Sequence, residues 1–179
     1  MGLSGLVSRP LPLPDLLMNF EWYHQVALMA LEAIGFQLGI RFDDVALPEP
    51  QPLRHAELGH ALAATVRGLT ASTDHEVYSR EQAARVVEYL HRIGVHGPSV
   101  DRVDIDEATD LVGGPLETVE EADRALAALV AADDGGRDET LVRLFHRRCM
   151  RQLRILEPLQ CRPGGEIHHL VPVTELLGE

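Results

Sequence analysis

The sequence predicts an all-α fold, with about five helices in an irregular bundle. Three observations carry this expectation. Apolar residues make up 45% of the chain, and they are mostly Leu, Ala and Val, which favour helices packed on helices. Aromatics are only 4%, few for a β-sandwich. Apolar positions recur at helical spacing in five stretches, separated by Pro-, Gly- and Asp-rich breaks. The chain divides into an extended Pro-rich arm (1–15), a helical domain (16–156) and a mostly irregular C-terminal tail (157–179) packed on that domain or extending from it.

In the arm, "RPLPLP" alternates proline and so reads as a polyproline-like extension. The first helix is expected from about Leu16 to Leu38, capped by Asp15. On a helical wheel, Phe20, His24, Ala27, Leu31, Ile34 and Leu38 share one face, and Trp22, Val26, Met29 and Ala33 another. Only Glu21, Gln25 and Glu32 form a polar strip. Such girth predicts a helix that is central in the fold or faces a second subunit.

After the proline-rich "DDVALPEPQP", a second helix is expected over Leu53–Arg67, stopped by Gly68. A third opens on "SREQ" at Ser79–Gln82, a capping-box pattern, and ends at Gly94. The stretch "VHGPSVDRVD" reads as a loop. Asp104 and Glu107 fit a second box on a short, solvated helix. The fourth helix is expected from Pro115, with Leu116, Val119, Ala122, Leu126 and Leu129 inward, and "DDGG" ends it. The fifth covers Glu139–Leu156, with Leu141, Leu144, Phe145, Cys149, Leu153 and Leu156 as its core face. In the tail, Pro172 argues against a strand over "EIHHLVPV".

Charge excludes several functions. A formal net charge of −12 repels a phosphate backbone, so nucleic-acid binding is not expected. Anionic membrane surfaces are disfavoured for the same reason. No stretch is long and apolar enough to predict a membrane span. All sixteen basic residues are Arg, which rules out lysine Schiff bases and a P-loop lysine. Two cysteines without a C-x-x-C pattern, and no signal-peptide pattern at the N-terminus, set the expectation of a reduced, cytoplasmic protein. Cys149 reads as buried packing and Cys161 as exposed.

Metal chemistry has candidate residues. Glu21-x-x-His24 and Glu88-x-x-His91 are both Glu-x-x-His motifs, as used by carboxylate-bridged di-metal bundles. With sixteen glutamates and nine histidines, however, chance alone yields roughly one such spacing. Glu88 and His91 also read as solvated, off the Val86/Leu90/Ile93 stripe. His55 and His60, five apart around Glu57, diverge on a helix and do not form HExxH. The Glu-x-x-Glu and Glu-x-x-Asp pairs that hold magnesium in all-α pyrophosphohydrolases are not intact, because His60 follows Glu57 and Ala84 follows Glu81. The acidic "DRVDIDEATD" lacks the Gly and terminal Glu of a calcium loop. Neither a nucleophile elbow nor a dinucleotide loop is present.

The fifth helix carries Arg143, Arg147, Arg151 and Arg154 as one stripe. It reads as a docking face for an acidic partner or anion, or as an intramolecular pairing surface for acids of the fourth helix. Arg148, at the edge of the apolar face, needs a carboxylate partner if buried. The function expected from these features is a non-enzymatic accessory or assembly protein. It would act through protein–protein contacts, as a homo-oligomer through its first helix, without a cofactor. The competing reading is a helical metalloprotein or metal-dependent hydrolase, with His24, Glu57 and Glu21 holding Fe, Mn or Zn.

Overall fold

Five helices and a closing 3-10 turn are seen in the computed structural model, which describes residues 13–160, with side chains from Asn19 onward. In chain order they are α1 (Leu13–Gln37), α2 (Glu57–Arg67), α3 (Asp74–Val112), α4 (Val119–Ala132), α5 (Asp138–Leu156) and the turn Glu157–Leu159. No strand occurs among the described residues. Helix α1 begins within the stretch predicted as arm. The rest of the arm, Cys161 and the remainder of the tail lie outside the described residues.

The architecture is built on α3 and α5. Helix α2 packs along the first half of α3, α4 packs on its second half, and α5 lies between α3 and α1. Two apolar clusters fill the space. Tyr89 and Val100 of α3 meet Ile155 and Leu156 of α5, flanked by Leu47 and Leu159. Ala108 of α3, Ala122 and Leu126 of α4 and Leu144 of α5 form the other, flanked by Ile105, Leu111, Leu116 and Phe145. Nine residues of α5 are buried, so α5 holds the central position that the wheel offered to α1.

Helix α3 is the main departure from expectation. It runs unbroken for 39 residues through Gly94, Gly97 and Pro98. Proline inside a helix removes one hydrogen bond and crowds the preceding turn, at a cost of about 3 kcal/mol. Gly97 eases the constraint, because the residue before proline here has no Cβ to clash with its ring. Packing supplies the rest: Val100 and Ala108 beyond the proline are fully buried, and tertiary burial overrides local propensity. The N-terminal box is Thr73/Glu76, not Ser79/Gln82. Thr73 Oγ1 accepts from the Glu76 amide at 3.2 Å, and Glu76 Oε2 accepts from the Thr73 amide at 3.0 Å. Asp104 and Glu107 sit inside this helix rather than capping one, and Asp104 is buried. Gly113, with φ 78°, ends α3 in the left-handed conformation.

Helix α4 starts at Val119, four residues later than predicted, because Thr118 caps it by accepting from the Glu121 amide at 3.2 Å. The segment between α1 and α2 is extended and tied down. Ile40 and Val45 are buried. The Phe42 ring lies between α1 and α5, stacked on His146 with centroids 3.9 Å apart. The ring also meets Gly35, where an added Cβ would come within 2.4 Å of its Cζ. Only glycine allows this approach. Burial, reinforced by Arg147, pushes the His146 imidazole down to about 4.

Replacing Pro98 with Ala should stabilise the fold by about 1–3 kcal/mol, read as a higher urea midpoint with an unchanged m-value. His146 is bound neutral, so its contribution to stability is full above its ordinary pKa near 6.5 and is lost as pH falls toward about 4. Across that window, urea titrations should show a decline that His146→Phe lessens by up to roughly 3 kcal/mol.

Candidate functional site

Helix α1 is turned opposite to its apparent amphipathicity. Glu21 and Gln25 are buried against α5, and the Gln25 amide donates to the Glu21 carboxylate. Gly35 is buried on the same side. Burial raises the Glu21 carboxyl above its usual range, against the pull of Gln25. The Cys149 thiol of α5 donates to the His24 carbonyl at 3.0 Å, and burial pushes that thiol up to about 11. The polar strip of the wheel therefore faces inward, and the apolar side faces out. Trp22 is 59% exposed and Tyr23 70%, and Phe20, Val26, Ile34 and Phe36 are exposed beside them. None of the exposed residues from Asn19 to Gln37 is charged.

The residues of the metal reading do not converge. His24 Nδ1 bonds the Phe20 carbonyl at 2.8 Å, and its ring packs on Phe20 and Tyr23. Glu21 points toward α5 and is bonded to Gln25. Glu57 opens α2, which packs on α3, and it lies 3.7 Å from His55 on an exposed surface. Among the described residues, no group of three or more His, Cys, Asp or Glu is arranged to hold a metal ion.

The second Glu-x-x-His motif has a different fate. Glu88 and His91 are not simply solvated; with His60, Arg92, Val95, His96 and Pro158 they line a cleft of about 370 Å³. The His60 and His91 rings meet edge-on at 4.4 Å. A Cβ at Gly59 would fall 2.4 Å from His91 Nδ1, so α2 approaches α3 there because it carries no side chain. Burial, then His60 and His96, hold the His91 imidazole below its ordinary value. The sequence signal for this cluster was Gly59 beside His60, facing a histidine on the next helix.

The arginine stripe is engaged within the chain. Arg143 donates to Glu139 at 2.9 Å and to the Arg41 carbonyl at 2.6 Å. Arg147 donates to Glu107 at 2.7 Å, and Arg154 to Asp44 at 2.5 Å. Arg151 is buried and bridges Asp104 at 2.8 Å and Glu107 at 2.5 Å. The acids facing the stripe come mainly from α3, not from the fourth helix. That helix instead supplies Asp123 to Arg148, whose other neighbour is Asp104 at 3.6 Å. Burial raises the Asp104 carboxyl, while Arg151 and Arg148 pull it back.

Removing one partner of a buried ion pair leaves the other uncompensated. Arg151→Met should therefore destabilise the fold by about 3–5 kcal/mol, and the double change with Asp104→Leu should recover much of it. Urea titration of the two variants checks both expectations. No family model, curated protein or solved structure matches the chain.

Proposed function

We propose that this is a non-enzymatic accessory or assembly protein whose working surface is the outward face of α1, and whose partner there is a second copy of the chain. The observation that carries this is the run of exposed Trp22, Tyr23, Val26 and Ile34 on a helix whose exposed residues between Asn19 and Gln37 include none that is charged, Glu32 being half-buried. Aromatic residues are the usual anchors of interfaces. Contiguous apolar patches on soluble proteins mark interaction sites.

Charge favours a like partner over other occupants. The chain carries −12 overall, and no basic residue closes α1, so an anionic lipid surface gains nothing there. Two identical acidic chains repel over most of their surfaces. An uncharged strip is where they can meet, and a two-fold pairing makes one strip complementary to itself. The exposed alanines Ala30 and Ala33 between the larger side chains allow close helix approach.

Sedimentation velocity of the full chain should show a dimer in the micromolar range. Trp22→Glu and Ile34→Glu should each weaken it by at least about tenfold, with circular dichroism unchanged, and with the urea midpoint unchanged at concentrations where wild type and variant are both monomeric, because both side chains face water in the monomer. A wild-type monomer at all concentrations tested would overturn the proposal.

A further inference from the structure

Helix α2 is held to the rest of the protein differently from the other helices. Ala63 is its one buried residue, and Leu58 and Leu62 remain more than half exposed. Little apolar area fastens it, so its closure depends on polar contacts with α3. At its C-terminal end, Arg67 forks onto Glu88 at 2.6 and 2.9 Å and reaches Glu81 at 3.3 Å. The following residues are tied by Arg80, which donates to the Leu69 carbonyl at 2.8 Å. At its N-terminal end the contact is the histidine pair: His60 against His91 at 4.4 Å, with Gly59 laid on the His91 ring.

The charges around that pair cancel without reaching it. Both oxygens of Glu88 are taken by Arg67. Glu81 is shared between Arg67 and Arg85. From the closing turn, Glu157 is held by Arg92 at 2.6 Å, and Arg92 also donates to the Arg154 carbonyl of α5 at 2.8 Å. Arg154 itself is paired with Asp44. On α2, Glu57 faces His55. The remaining cleft group is His96, whose Nδ1 is buried without a hydrogen-bond partner. A proton on His91 therefore meets two further imidazoles, while the carboxylate of the cleft, Glu88, is already held by Arg67.

We propose that the His60–His91 contact is a pH-sensitive latch, which holds α2 on α3 at neutral pH and releases α2 as a flap on acidification. A proton on His91 sets a cation at ring-contact distance from a second imidazole, and the weakly buried α2 is the element that gives way. Burial and the two neighbouring histidines already hold His91 low. The closed state thus binds fewer protons than the open one. Closure is complete above the ordinary histidine value near 6.5 and is lost as pH falls below it.

Hydrogen exchange of the full chain, corrected for the intrinsic pH dependence of amide exchange, reads the latch directly. In the full chain carrying His146→Phe, which removes the global pH dependence of His146 derived above, amides 60–67 should lose protection by at least about tenfold between about pH 7.5 and about pH 5.5, while those of α5 keep theirs. With His60→Gln/His91→Gln added, α2 protection should be the same at both pH values. His60→Gln alone, at an exposed position that does not endanger the fold, should reduce the pH response. Three outcomes, all read in the His146→Phe background, would overturn the latch: pH-independent protection of α2, an undiminished response with His60→Gln, or parallel loss in α5.

Discussion

The contact between Asp104 and Arg151 holds the two principal helices in one register. Asp104 projects from the second half of α3, Arg151 from the middle of α5, and both are buried. Such a pair is costly to desolvate, and it is tolerated only where the remaining donors and acceptors are also satisfied. Here they are: Glu107 takes the far side of Arg151 and the head of Arg147, and Arg148 joins Asp104 to Asp123 of α4. One network thus fixes three helices. The apolar clusters on either side of it, around Val100 and around Ala108, require the register that the network sets.

That geometry also explains why α3 can be one helix. Cut at Gly94, as local propensity suggests, its second half would lose its alignment with the first. Tyr89 and Val100, which share a cluster with Ile155 and Leu156, would then sit on separate elements. Glycine and proline signals record local preference, but the buried face from Ala84 to Ala108 records what the tertiary structure rewards. The signal was readable in principle, since Tyr89, Val100, Asp104 and Ala108 fall on a shared face if the helix continues. Asp104 concealed it, because a lone aspartate in an acidic run reads as solvent-facing.

Legibility therefore followed the sharpness of amphipathicity. Helix α5 combines a clear apolar stripe with a clear arginine stripe, and all six of its expected core positions are buried or pack against a core cluster. The second helix shortened at its start but kept its Gly68 stop. Helix α1 was the hard case. Its apolar residues surround it, so the wheel identified the polar strip but not its direction. What holds the strip inward is its attachment to α5: the Cys149 thiol bonds the His24 carbonyl, and Gln25 bonds Glu21 so that both are buried as a pair. The cleft was missed for a related reason. Glu88-x-x-His91 lies off the apolar stripe of α3, and only the neighbouring helix α2 encloses it.

The two outward-facing features follow from one allocation of apolar area. Helices α3, α4 and α5 satisfy one another, and their shared core is closed. Helix α1 meets that core through polar groups, leaving its aromatic side uncovered, while α2 meets it through ion pairs and two imidazoles. A helix attached by its polar face is fixed yet presents apolar surface, as a docking surface requires. A helix attached by titratable contacts is held only as firmly as their protonation allows. Burial of Glu21 is thus what frees Trp22 and Tyr23, because the two sides of α1 cannot face α5 together. In a chain of this negative charge, a strip without fully exposed charges is the surface on which the proposed pairing with a second copy rests.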